Sequence, residues 1–112
     1  MDSHEGVIDL VHLKQYTGGD PNLEKEILTM FVPNVRGYVE QMAAAEAART
    51  WEHAAHALKG VARGVGAFGL ADAAESIEHS YSDDETARRD LLTDLQARLE
   101  EVERFVRSHL GG

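Results

Sequence analysis

Apolar residues recur at spacings of three and four along nearly the whole chain, and no stretch keeps the two-residue alternation of a strand. A first short helical segment, Val7 to Tyr16, ends at Gly18-Gly19. Asp20 then offers a side-chain cap to a helix whose first residue is Pro21, where a missing N–H costs nothing. From there Ile27, Met30, Phe31, Val35, Tyr38 and Met42 form one face of a long amphipathic helix, with a kink expected near Pro33 and an end in the Ala-rich stretch before Thr50. Thr50 is placed to cap a third segment that starts at Trp51 and closes near Gly66 and Gly69. A shorter helix carries Leu70, Ala73, Ala74 and Ile77. Ser82 and Glu85 have the spacing of a capping box and open a last helix on which Leu91, Leu95, Leu99, Val102 and Val106 align. Each stripe needs a partner, so the expected fold is all-α: an antiparallel four-helix bundle with a short additional N-terminal helix, one domain over residues 1–112.

Composition narrows the function classes. The 112 residues include no Cys, which removes disulfides, thiol chemistry and Cys-based zinc sites. An apolar share of 43% and a charged share of 28% are those of a globular chain, which at this length buries roughly two thirds of its unfolded surface. Twenty acidic against eleven basic residues give a net charge of -9, which repels phosphate backbones and anionic lipid; neither nucleic acid nor membrane is an expected partner. The Met1 end carries Asp2 and Glu5 instead of a basic leader, and the uncharged run Gly64 to Ala71 is too short to span a bilayer. A cytoplasmic monomer is expected. The Met start and the Gly111-Gly112 end lean toward a free-standing protein over one domain cut from a longer chain.

The segment from Trp51 to Phe68 holds the chemistry. At roughly 100° per residue, Trp51, Ala54, Leu58, Val61, Ala62 and Val65 fall on one side as a buried stripe. His56 lies opposite, with Arg49, His53, Gly60 and Arg63 close by and Lys59 one turn along. Gly60 weakens the helix by about 1 kcal/mol relative to alanine, and Gly64 repeats the cost a turn later. Because Cα–Cβ bonds tilt toward the helix N-terminus, a side chain at 60 would shade the His56 ring. The alternative is that both glycines let a neighbouring helix approach closely.

The run His56-Ala57-Leu58-Lys59-Gly60, continued by Val65-Gly66-Ala67 and Leu70, resembles the signature of the histidine-containing phosphotransfer (HPt) domain family. The Gly-Asp-Pro opening of the long helix, the Trp before the motif and the spacing of the last helices extend the likeness over the whole chain. The resemblance implies that His56 is the phosphorylated histidine, Lys59 its neighbouring cation and Gly60 the small residue that admits the partner. Arg49, Glu52, His53, Arg63 and Gly64 then belong to the partner-binding face. It also implies exchange with the aspartyl phosphate of response-regulator receiver domains, a histidine kinase or hybrid kinase upstream, and magnesium held by the receiver, with no cofactor of this chain's own. The sequence departs from the family at Val61 and Arg63, where small residues are common.

The residue chemistry agrees. A neutral imidazole is a competent nucleophile near pH 7. A loose phosphoryl transition state spreads negative charge over its oxygens, which Lys59 and Arg63 are expected to neutralise. No Gly-rich loop followed by Lys-Ser/Thr cradles a nucleotide, and no carboxylate cluster for magnesium is expected on this face, so autonomous kinase activity is not expected. Glu52, one turn before His56, is placed either to hydrogen-bond its ring or simply to face water. His53 has Ala57 where His56 has Gly60. His4, His12, His79 and His109 read as surface histidines, and Trp51 as core. Two rival classes are a bundle metalloprotein, for which no Glu lies three residues before any His, and a non-phosphorylated bundle that docks on a receiver or kinase, which leaves His56, Lys59 and Gly60 together unexplained.

Overall fold

The computed structural model describes residues 7–111, so the expectation for His4 lies outside the described residues. All regular structure in these residues is helical. Helix α1 (Leu10–Thr17) is capped by the Asp9 carboxylate, which accepts from the His12 N–H at 3.1 Å, and it ends at Gly18 in the left-handed conformation. Helix α2 (Pro21–Ala43) starts as expected, with the Asp20 side chain accepting from the N–H groups of Asn22 and Leu23. It continues through Pro33 as one element. Its buried stripe is Leu28, Phe31, Val35, Val39 and Met42, while Ile27 and Tyr38 are only half-buried and Met30 is 71% exposed. Once the stripe centres on Phe31 and Val35, position 30 lies about 100° off it.

Helix α3 (Ala48–Val65) corrects the expected start at Trp51. Ala47, in extended conformation, precedes the first turn without a side-chain cap, and Thr50 lies inside the helix; the strong helix preference of the alanines carries it back past the threonine. Helix α4 (Phe68–Ile77) follows, and helix α5 (Glu85–Gly111) completes the chain. The cap of α5 is Asp84, whose carboxylate accepts from the Thr86 N–H at 3.0 Å; the Ser82 hydroxyl accepts from the Asp84 N–H, one residue short of the expected box. Leu92, not Leu91, begins the fully buried stripe of α5, and on α3 Ala55 is buried where Val61 is only half-buried.

Helix α2 packs against α3 and α5, α4 packs against the same two, and α1 lies across α2 and α3. Trp51 is fully buried, and its indole Nε1 donates to the Ile77 carbonyl at 2.7 Å. That bond fixes the start of α3 to the end of α4, and so brings the residues just after Ile77 against the outer face of α3.

Gly66 is required twice over. It ends α3 at φ 89°, and a Cβ there would stand 2.8 Å from the Asp9 carbonyl oxygen, because the Gly66 carbonyl accepts from the Asp9 N–H at 2.9 Å. The Val65-Gly66-Ala67 run therefore lashes the start of α1 to the end of α3. Gly66→Ala combines left-handed strain with a backbone clash, and a loss of about 2–4 kcal/mol in chemical denaturation is expected. Wild-type stability in that variant would mean the junction can open at little cost.

Candidate functional site

The outer face of α3 presents His56 with 69% of its side chain exposed. A Cβ added at Gly60 or Gly64 would meet nothing within 4 Å. Neither glycine serves close helix packing, and the ground in front of the His56 ring is bare.

The ring is backed by a residue the sequence reading did not single out. Glu78, just past the end of α4, places Oε2 3.4 Å from His56 Nδ1 and accepts from Lys59 Nζ on Oε1 at 2.9 Å. Its side chain is only 10% exposed. The Lys59 ammonium holds the Glu78 carboxyl below the ordinary carboxylate range, against the opposing effect of burial, with His56 and His79 adding smaller attractions. The stability this contributes is complete above the ordinary value near pH 4.5 and is lost as the pH falls through the lowered one. A signal existed in the sequence: Glu78, just past α4, continues the three-and-four spacing of the buried Ala71 and Ala74, so an acid stands where an apolar residue is expected.

Both expected cations already have partners. Lys59, 15% exposed, lies between Glu78 and Glu75, and Arg63 donates to Glu75 Oε1 at 2.9 Å. The fold brings Glu75 and Glu78 across from α4 to this face, where Lys59 and Arg63 pair with them. Glu52 is not the ring's partner. Its Oε2 lies 3.6 Å from His79 Nδ1, because the Trp51 anchor sets the end of α4 beside it. His79 is on the surface as expected, 77% exposed, and borders this group with its Nε2 3.7 Å from Glu78 Oε2. Arg49 and His53 are exposed on the same helix.

The other histidines are distant from this cluster in role. His12 meets the Phe68 ring edge-on, and His109 stacks on Phe105 with Nε2 3.2 Å from Glu24 Oε1, tying α5 to α2. Among the described residues no three His, Asp or Glu side chains converge as metal ligands do. No helix among them is long and apolar enough to cross a membrane.

Chemically, an exposed imidazole whose Nδ1 faces a buried, ionised carboxylate has its Nε2 free for a reaction partner. The model of one family, described as the Hpt domain, matches residues 26–105. No curated protein and no solved structure matches the chain.

Proposed function

The chain belongs to the Hpt domain family, whose members carry phosphoryl groups on histidine in two-component signalling and meet receiver domains and kinases without being kinases themselves; on that footing we propose that His56 is the phosphorylated residue. The observation that carries this is the His56 ring, exposed in front of bare Gly60 and backed at Nδ1 by Glu78. The Nε2 lone pair attacks the phosphorus of a receiver's aspartyl phosphate. The new N–P bond forms as the P–O bond to the aspartyl carboxylate breaks, and that carboxylate leaves with the electron pair. The Nδ1 proton stays on the ring, where Glu78 stabilises the positive charge the imidazole acquires. In this reading α2, α3, α4 and α5 form an antiparallel four-helix bundle within a single domain. The protein acts as a cytoplasmic monomer, and the receiver supplies the magnesium.

Lys59 takes a role other than direct contact with the phosphoryl group: it keeps Glu78 ionised and aimed at the ring. Lys59→Ala and Glu78→Gln should each slow transfer by about tenfold, in line with 1–2 kcal/mol for one partly exposed charge beside a developing one. Arg63→Ala should do less, since Glu75 holds that guanidinium to the side. Stopped-flow transfer rates from one phosphorylated receiver rank the three, and equal rates in wild type and Glu78→Gln would remove Glu78 from the mechanism.

The function itself is tested by mixing the full chain with a panel of phosphorylated receivers and, separately, with ATP. Label should pass from at least one receiver and return to it, and none should come from ATP. Labelling by ATP alone, with no kinase present, contradicts the reading.

A further inference from the structure

An open groove runs between α2 and α5 and is lined by these two helices alone. Its inner rows are apolar: Leu28 and Val32 from α2, Val106 and Leu110 from α5, each pair four residues apart and so stacked one above the other on its helix. The outer row of α2 carries Lys25, Thr29, Pro33 and Arg36, and that of α5 carries Glu103 and Arg107. From Lys25 to Arg36 the groove extends about 16 Å, three turns of helix. Apolar rows at this spacing, with charge outside them, are what two packed helices present to a third. Charge selects the occupant. The chain has a net charge of -9, yet three of the four charged side chains lining this groove are cations. Arg36 pairs with Glu103 and cancels the single acid. Among the described residues no carboxylate pairs with Lys25 or Arg107. We propose that this groove docks an acidic amphipathic helix of a partner protein, its apolar stripe laid between α2 and α5 and its flanking carboxylates meeting Lys25 and Arg107.

The groove offers each part of such a helix a counterpart. Leu28 and Val106 are buried at its floor, while Val32 and Leu110 are only half-buried and lose their remaining contact with water when a leucine stripe lies over them. Thr29 and Pro33 are short side chains between the cations of α2, so a backbone can approach closely there. Pro33 has no N–H, which leaves the Thr29 carbonyl without its donor four residues on and able to accept from a polar side chain of the docked helix. A second copy of this chain is a poor occupant, because two bodies of charge -9 repel. The surface is smaller than a standard protein interface, so the contact is weak and reversible. Helix α3 packs on α2 and α4 but not on α5 among the described residues, which sets the groove away from the outer face of α3. A segment held there leaves His56 open, and its tether raises the local concentration of whatever module the partner brings to the ring.

The probe is a synthetic amphipathic peptide of about four helical turns, with leucines at three- and four-residue spacing and glutamates on both flanks; its counterpart carries lysines in place of the glutamates. Each is titrated into the full chain and followed by methyl NMR. No phosphate is present, so the result stands apart from the assignment of His56. The glutamate peptide should shift the methyl signals of Val32 and Leu110 and leave the His56 ring protons in place, with a Kd on the order of 0.1–1 mM. The lysine peptide should bind the groove about tenfold more weakly, although the net charge of the chain favours it. Lys25→Glu combined with Arg107→Glu should invert that order. Both side chains are exposed, so the variant should fold, and circular dichroism checks it. Transfer from a phosphorylated receiver should keep its rate with the glutamate peptide bound. No binding, equal binding of the two peptides, an order that the double variant leaves unchanged, or shifts confined to other faces overturn the inference. So do groove shifts that grow with protein concentration alone, which assign the surface to a second copy, and a transfer rate that the peptide abolishes.

Discussion

His56→Gln should fold as the wild type does and take up no phosphate from any receiver. The ring projects into solvent from α3 and makes no core contact, so its replacement falls among surface changes worth about ±0.5 kcal/mol. Glutamine keeps a polar group near Glu78 but has no lone pair with the nucleophilicity of an imidazole nitrogen. Neither neighbouring histidine can substitute. His53 has Ala57 leaning over it where His56 has Gly60. His79 stands past the end of α4 with one ring nitrogen 3.6 Å from Glu52 Oε2 and the other 3.7 Å from Glu78 Oε2, so a carboxylate lies beside whichever nitrogen would attack and repels an incoming phosphoryl group. Circular dichroism and thermal melting should overlay for the two proteins while labelling disappears. Label retained in the variant, or label that migrates to His53, contradicts the assignment.

Gly60→Gln should separate stability from activity. Position 60 is exposed, and an added Cβ meets nothing, so the substitution replaces a poor helix former by a good one at no steric cost. The gain should be about 0.5–1 kcal/mol, a melting temperature raised by a few degrees. The same side chain leans back toward the N-terminus of α3 and covers the His56 ring. A receiver must bring its aspartyl phosphate to within bonding distance of Nε2, and displacement by about 1 Å suffices for a loss on the order of a hundredfold. Phosphoramidate, with no docking surface to clear, should still label His56. A variant that loses stability along with transfer would point to a packing role that the open space around position 60 does not support.

The helix-level reading of the chain was accurate where local chemistry decides. Asp20-Pro21 opens α2 and Gly66 closes α3 because capping and left-handed φ are set by the residues themselves. The outward face of α3 was legible for a related reason: His56, Gly60 and Gly64 lie opposite a strong apolar stripe, and no tertiary contact was needed to place them. Errors arose where neighbours decide. Thr50 has the chemistry of a cap, yet Ala47 and Ala48 extend the helix past it. Met30 fits the period of α2, but the registry against α3 and α5 selects Leu28 and Val39 for burial. The back of the site was hidden for the same reason. Glu78 is 22 residues from His56 and reaches it only because Trp51 bonds the Ile77 carbonyl and draws the end of α4 onto α3. From the sequence Glu52 was the nearer candidate, one turn away on the same helix, and tertiary packing gave that place to Glu78.

The decisive measurement is the location of the phosphate after transfer. The full chain is incubated with a phosphorylated receiver that labels it, and the product is digested at alkaline pH, where a phosphoramidate survives, and sequenced by tandem mass spectrometry. Phosphorus NMR of the intact protein reports which ring nitrogen bears the group. Phosphate on Nε2 of His56 and on no other residue, stable to base and released by acid, is the outcome that follows from an exposed ring whose Nδ1 faces Glu78. Phosphate on any other residue, on Nδ1 of His56, or in an acid-stable linkage would contradict it.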